Sequence, residues 1–152
     1  MTIEPKVSFC DAGLADGDAL ADLRVEAMRE SLERIGRFDA VRARDRFLSG
    51  FSPANTRHIF LCDERIGFYV LKQENQTLLL DHLYILPAHQ GKGIGAIVLA
   101  RVFSHAEAVG LPVRVGALVG SDSNRFYVRH GFCLVEHGEF DNYYVRPSKN
   151  AF

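Results

Sequence analysis

A glycine-rich segment in the second half of the chain has the residue types and spacing best suited to chemistry. It contains Gly91, Gly93 and Gly95, with Lys92 between the first two. An apolar run that stops at Pro87 precedes it and a second apolar run follows, which predicts a strand, a loop and a helix in succession. The first N–H groups of a helix lack internal partners, and glycines let a ligand approach the backbone. The segment therefore predicts a phosphate or pyrophosphate site, although a plain tight turn would use the same glycines.

Two familiar phosphate-loop patterns fit this segment poorly. The Walker pattern requires Ser or Thr after its Gly-Lys pair, whereas Gly93 follows Lys92. The dinucleotide pattern is met formally by Gly91, Gly93 and Ala96. However, the next strand ends near 116–118 without the acid that would bind a ribose. A nucleotide-binding oxidoreductase is therefore a disfavoured alternative.

A third pattern, Gln/Arg-x-x-Gly-x-Gly/Ala, is met by Gln90, Gly93 and Gly95. Here the sequence resembles the GNAT acetyltransferase superfamily. Residues 83–87 look like the central strand of that family, and the loop that follows looks like its pyrophosphate loop. The resemblance implies a GNAT-like acyl-CoA N-acyltransferase fold. It also implies transfer of an acetyl group from acetyl-CoA to a primary amine, directly and within a ternary complex.

A second segment extends the resemblance. Residues 124–127 followed by 131–132 look like the second signature helix of the same family, and the likeness holds over about 56–146. The resemblance assigns the cosubstrate to the central strand, to the loop with the first helical turn, and to this second helix. The residues so assigned are Leu83, Tyr84, Ile85, Gln90, Gly91, Lys92, Gly93, Ile94, Gly95, Ala96 and Asn124.

Tyr127 is the first candidate for a catalytic side chain. Acetyl transfer from a thioester releases a thiolate, which gains from a proton. A phenol with an ordinary pKa of about 10 is protonated at neutral pH and can donate one. Tyr127 lies four residues before Gly131, which is where the resemblance places the family's tyrosine. The alternative is a tyrosine that only packs in the core.

Asp81 is the second candidate, because it interrupts an apolar strand. Burial would raise the pKa of its carboxyl, which would suit it to take a proton from the acceptor's ammonium group, directly or through a water. His82 is its neighbour and faces the other way by strand alternation. A salt-bridged aspartate and a half-exposed histidine are the alternatives. The sequence favours Asp81 over His82 as the base.

The pattern of elements predicts a mixed α/β (α+β) sheet. A first strand near 6–12 and helices near 16–35 and 39–48 precede three strands in a row, which indicate an antiparallel meander. A helix ending at Gly110 and the strand 113–118 then make one parallel β-α-β step, and a C-terminal hairpin closes the sheet. A dinucleotide fold would alternate strand and helix from its start.

The first long helix is predicted to be amphipathic. Val25, Met28, Leu32 and Ile35 form an apolar stripe at helical spacing. Arg24 is one of several charged residues outside that stripe, and these predict a solvated face. The resemblance implies that this helix also walls the acceptor site.

Composition limits the remaining possibilities. A chain of 152 residues predicts a single domain over 1–152. A net charge of −1 gives no electrostatic case for binding nucleic acid or an anionic membrane. Three widely separated cysteines without metal-ligand spacing predict buried free thiols, no metal and a reducing, cytoplasmic compartment.

The acceptor is open at this stage and includes small-molecule and peptide amines. The closing strands of this fold can also support a homodimer. A non-catalytic GNAT-like domain that only binds acyl-CoA is the main alternative to an enzyme.

Overall fold

The computed structural model describes residues 6–149 and has the mixed architecture that the sequence predicts. Within that range it contains seven strands and four α-helices. The strands are Val7–Asp11 (β1), Thr56–Leu61 (β2), Glu64–Glu74 (β3), Thr77–Ile85 (β4), Val113–Leu118 (β5), Cys133–His137 (β6) and Asp141–Arg146 (β7). The helices are Gly17–Arg34 (α1), Ala40–Ser49 (α2), Ile94–Val109 (α3) and Ser123–Arg129 (α4).

The described strands form one sheet in the order β1-β2-β3-β4-β5-β7-β6. β1 with β2 and β2 with β3 are antiparallel pairs, and β4 lies beside β3 after a tight turn. β4 and β5 are parallel, with α3 as the connection between them. β7 returns antiparallel to β5, and β6 pairs with β7 at the edge. The predicted meander, single parallel step and closing hairpin are thus confirmed.

The turn between β3 and β4 has a specific local cause. Asn75 and Gln76 both have positive φ angles, 47° and 63°. Two consecutive residues with positive φ suit a two-residue hairpin turn, because its twist matches that of the strands. This turn leads the chain directly into the central strand β4.

The described chain divides into two compact units, each with its own buried side chains. The first unit takes residues 6–70 and 82–95, and the second takes 71–81 and 96–149. The prediction of a single domain over 1–152 remains a prediction.

In the first unit, the N-terminal half of α1 and one face of α2 pack on β3. The buried cluster there consists of Leu20, Ala21, Leu23, Phe47, Phe68 and Val70. The predicted stripe on α1 is displaced: Val25 and Met28 are only partly buried, and Ile35 is 38% exposed. The helix buries its first turns because the core lies there, whereas its C-terminal turns extend into solvent.

In the second unit, α3 and β5 supply most of the buried side chains. They are Val98, Leu99, Val102, Ala106, Val113, Val115 and Ala117. β5 buries every second residue, as expected for a strand with one covered face. On α3, the ring of Phe103 receives the Arg146 guanidinium at 3.8 Å, which covers the outer part of the helix.

The prediction of buried thiols was wrong. Cys10, Cys62 and Cys133 are all free and exposed. Cys10 lies on β1 and Cys133 on β6, the two edge strands, and Cys62 lies in the turn between β2 and β3. Edge strands and turns have few neighbours to cover them, which composition alone does not reveal. None of the described helices has the length and apolar character needed to cross a membrane.

Asp16 joins the entry of α1 to β2. One of its carboxylate oxygens accepts the N–H of Gly13 at 2.7 Å and lies 3.1 Å from Nε2 of His58. The backbone hydrogen bond from Gly13 and, after it, the hydrogen bond with His58 hold the pKa of the Asp16 carboxyl below its usual value. A lowered folded-state pKa adds stability above the unfolded-state pKa, and this stability is lost as the pH falls through the folded-state pKa.

We therefore expect Asp16→Asn to lower the free energy of unfolding at pH 7 by roughly 0.5 to 1 kcal/mol, because the carboxylate is partly solvated. The difference from the unmodified protein should shrink as the pH falls below about 4, where the aspartate also becomes neutral. Urea unfolding at several pH values measures both effects. Asp45→Asn, on the exposed face of α2, is the control and should show no such trend. A difference that is constant with pH would contradict this account.

Candidate active site

The glycine loop adopts a backbone that favours glycine. Gly91 and Gly93 have φ angles of 75° and 80°, in the left-handed region, and α3 begins directly afterwards at Ile94. A Cβ built on either glycine would meet no atom within 4 Å. Conformation rather than crowding therefore accounts for the glycines, and the space beside them is open. The unpaired N–H groups of the first turn of α3 adjoin this open loop.

Gln90 ties the loop to the end of β4. Its side-chain amide donates a hydrogen bond to the carbonyl of Ile85 at 2.8 Å. The intervening segment Pro87–His89 is one turn of 3-10 helix. A long side chain with a hydrogen-bond donor at this position closes the turn between strand and loop. This explains why the third loop pattern begins with Gln or Arg.

The backbone of β4 passes unusually close to β3. A Cβ on Gly67 would lie 2.2 Å from the carbonyl oxygen of Tyr84, so only glycine fits there. The N–H of Leu86 donates to the carbonyl of Ile66 at 2.8 Å and continues the contact past the end of the strand. Sequence reasoning missed Gly67, although a lone glycine inside an apolar strand was an available signal. The backbone of Leu83 to Ile85 is positioned by these contacts.

A buried polar network reaches β4 from α1. Nε of Arg24 donates to the hydroxyl of Tyr84 at 3.1 Å, and Nη1 donates to the carbonyl of Ala43 on α2. The same tyrosine hydroxyl lies 3.0 Å from Nδ1 of His82. Arg24 is only 6% exposed, so its assignment to a solvated face was wrong. The reason is that α1 packs closely on α2 and β4 at this turn, which its own sequence periodicity does not show.

Asp81 and His82 lie on opposite faces of β4, as alternation requires. The side chain of Asp81 is 36% exposed, and its carboxylate lies 3.3 Å from Nζ of Lys72, which agrees with the salt-bridged alternative and not with a buried carboxylate. His82 is partly buried, with its ring 5.4 Å from that of Phe47 and 6.5 Å from that of Phe68. The face of β4 that carries His82 is therefore the one that meets the aromatic core, and neither residue's catalytic role is decided by this placement.

Tyr127 lies on α4 and is 5% exposed. Its ring packs 5.3 Å from Phe126, 5.3 Å from Phe132 and 6.5 Å from Tyr144, measured between ring centroids. These three aromatic rings contribute to its burial. A general-acid role for its hydroxyl stays a prediction.

The amide group of Asn124 is engaged within the chain. Its nitrogen donates to the carbonyls of Leu118 and Ser121, both at 2.9 Å. Its oxygen accepts from the Asn142 amide at 3.0 Å and from the Tyr144 hydroxyl at 2.8 Å. Asn124 therefore joins α4 to β7 and to the end of β5. A contact with the cosubstrate, which the resemblance implies, stays a prediction.

Across residues 6–149, no group of three or more His, Cys, Asp or Glu side chains is arranged to hold a metal ion.

Comparison with solved structures finds the same fold in several acetyltransferases. The PaiA N-acetyltransferase of Thermoplasma acidophilum, solved with coenzyme A, is 16% identical with a TM-score of 0.73, over 93% of this chain and 99% of that one. An acetyltransferase of Thermus thermophilus is 22% identical with a TM-score of 0.69, over 93% and 96%. A GCN5-related N-acetyltransferase of Rhodopseudomonas palustris is 20% identical with a TM-score of 0.72, over 97% and 98%. Such identities establish a likeness of fold.

Sequence comparison establishes the family. A search of curated protein sequences finds no significant match. The model of the GNAT acetyltransferase domain, by contrast, matches residues 55–133, just over half of the chain. That segment includes β4, the glycine loop, α3 and α4. The chain therefore belongs to the GNAT acetyltransferase family and is an acyltransferase.

Proposed function

We propose that this protein transfers an acetyl group from acetyl-CoA to a primary amine, directly and within a ternary complex. The observation that carries the proposal is the loop at Gly91 and Gly93, whose positive φ angles and open surroundings directly before α3 suit the approach of a pyrophosphate to the backbone. The presence of coenzyme A in the Thermoplasma acidophilum structure supports the choice of an acyl-CoA donor.

Acetyl-CoA is a cosubstrate and supplies the acetyl thioester. In our proposal the N–H groups of residues 91–96 bind its pyrophosphate. Lys92, which is exposed, adds a positive charge beside them. The backbone of residues 83–85 pairs with the pantetheine arm, and an N–H from this stretch donates to the thioester carbonyl as negative charge develops there. The open space beside the glycines fits this assignment, because a bulky side chain in the loop would obstruct the phosphates.

Tyr127 and Asp81 take the proton-transfer roles in the proposal. Tyr127 donates a proton to the departing thiolate. Asp81 takes the proton of the acceptor's ammonium group through a water, for which its 36% exposed side chain is accessible. No covalent intermediate on the protein is needed, since the neutral amine attacks the thioester directly. The acceptor is a small-molecule or peptide amine, and we place the reaction in the cytoplasm.

Thermal unfolding with candidate ligands tests the cosubstrate. A ligand at about a hundred times its dissociation constant adds roughly 2.7 kcal/mol of stability. In a chain of this size the midpoint should then rise by several degrees. We expect a shift with acetyl-CoA and with coenzyme A but none with NAD. A shift with NAD alone would favour a nucleotide-binding oxidoreductase, and binding of acetyl-CoA without acetylation of any amine would favour a non-catalytic acyl-CoA-binding domain.

Replacement of Gly93 tests the position of the pyrophosphate. Gly93→Asp should abolish the thermal shift caused by coenzyme A, because the carboxylate would repel the phosphates and the positive φ would strain the loop. Gly36→Asp is the matched control, since Gly36 has a φ of 70° and open surroundings after the end of α1. The control should keep its response to coenzyme A. An undiminished shift in Gly93→Asp would mean that the pyrophosphate binds elsewhere.

Removal of one hydroxyl tests the general acid. Tyr127→Phe should lower kcat by about a hundredfold, because general acid catalysis contributes at least that much, while the affinity for coenzyme A stays unchanged. Steady-state rates at saturating amine and acetyl-CoA measure kcat, and the thermal shift measures affinity. Tyr143→Phe, an exposed tyrosine on β7, is the control and should keep its rate. A normal kcat in Tyr127→Phe would leave Tyr127 with a packing role only.

A further inference from the structure

Arg24 is a buried guanidinium whose contacts within the described chain are all with neutral groups. It is 6% exposed. Its partners are the hydroxyl and the ring of Tyr84, with the guanidinium carbon 5.7 Å from the ring centroid, and the carbonyl of Ala43. Among residues 6–149, Nη2 donates to no acceptor. A guanidinium has five N–H donors in a fixed planar fork, so this side chain retains donors for another partner.

Two partly covered arginines of the first unit are paired with acids. Arg44 contacts the carboxylates of Asp18 and Asp22. Arg57 lies 2.8 Å from the carboxylate of Asp11. These three pairs lie in less enclosed surroundings than Arg24, where the cost of removing a charge from water is higher. Among residues 6–149, Arg24 is thus the most buried arginine, and no acid of those residues lies beside it, which leaves its free donors available to an anion from outside the chain.

The position of Arg24 links that missing anion to the reaction. Its side chain crosses from α1 to Tyr84, the middle residue of the stretch 83–85 that we propose holds the pantetheine arm. The Tyr84 hydroxyl also contacts His82, so Arg24 reaches the face of β4 opposite Asp81. An acceptor held there would have His82, the alternative to Asp81, as the nearer candidate for the base. Arg24, His82 and Tyr84 all lie in the first unit.

We propose that Arg24 binds a carboxylate of the amine acceptor, and that the acceptor is therefore an amino acid or a closely related small amino acid derivative. This inference rests on the proposed acetyltransferase function. A carboxylate matches the guanidinium fork with two parallel hydrogen bonds. It is also cheaper to desolvate than a phosphate dianion beside the apolar rings of Phe47 and Phe68.

The competing explanation is that Arg24 only fastens α1 to α2 and β4. Such a structural role would affect all substrates equally, whereas carboxylate recognition affects only acceptors that carry the carboxylate. Matched pairs of acceptors separate the two. Each pair consists of an L-amino acid and its C-terminal carboxamide, which have the same side chain but differ in the charged group. Because loss of the carboxylate also lowers the pKa of the neighbouring amine, the preference within a pair is compared between protein variants at one pH.

The experiment measures acetylation of such pairs by mass spectrometry, with acetyl-CoA as donor, for the unmodified protein and for Arg24→Met, Arg24→Lys and Arg44→Met. We expect the unmodified protein to prefer the carboxylate member by at least about tenfold in kcat/KM. Arg24→Met should raise KM for the carboxylate member about tenfold and leave the carboxamide within about twofold, so that the preference disappears. Arg24→Lys should retain part of the preference for the carboxylate member, because lysine keeps the positive charge but lacks the planar pair of donors. Arg44→Met, which removes a different tie between α1 and α2, should keep the full preference.

Each other outcome has a definite meaning. A preference that is the same in the unmodified protein, Arg24→Met and Arg24→Lys would overturn the inference and leave the proposed function intact. Equal losses for both members in Arg24→Met would assign Arg24 to structure alone. If Arg24→Met does not unfold cooperatively, the preference of the unmodified protein and its reduction in Arg24→Lys decide the question. Acetylation of no amine at all would overturn the proposed function, and this inference with it.

Discussion

The path of the backbone at the end of β4 is the constraint on which the candidate site depends. The Tyr84 carbonyl lies against Gly67, where a Cβ would approach to 2.2 Å, and the side chain of Gln90 closes back on Ile85. The positive φ angles of Gly91 and Gly93 then direct the chain into α3. A larger residue at position 67 would push the two strands apart, whereas one at position 91 or 93 would strain the left-handed backbone. The unpaired N–H groups of a helix terminus are thereby kept at the end of a rigid strand rather than on a mobile loop.

The polar network on the same strand follows from that rigidity. Because β4 is held by its neighbours, Tyr84 offers its hydroxyl at a fixed place, and both Arg24 and His82 contact it. A buried arginine without an acid partner is costly, so such a residue is retained where an external anion offsets the cost or where it fastens helices together. The contacts of Arg24 with neutral groups, set against the acid partners of Arg44, favour the first explanation.

Two polar residues that the sequence singles out have partners that their local patterns do not predict. For Asp81 the sequence left a buried base and a salt-bridged aspartate as alternatives, and Lys72 on β3 makes it salt-bridged. Asn124 was expected to bind a ligand, yet its amide already contacts Asn142 and Tyr144. In both positions the partner lies on a different strand, β3 for Asp81 and β7 for Asn124. The neighbouring residues in the sequence show that these polar side chains need a partner. They do not show which residue that partner is.

The sequence by itself determined the order and type of the elements, the glycine loop and the family, because strand alternation, proline and glycine stops and loop spacing are local properties. The strand Val113–Leu118 and the parallel step before it are examples. Only the tertiary structure decided that Arg24 is buried, that Gly67 is required by the Tyr84 carbonyl and that the cysteines are exposed. The physical reason is that burial and close approach depend on which elements pack together. The sequence of a single helix or strand does not specify which other elements pack against it.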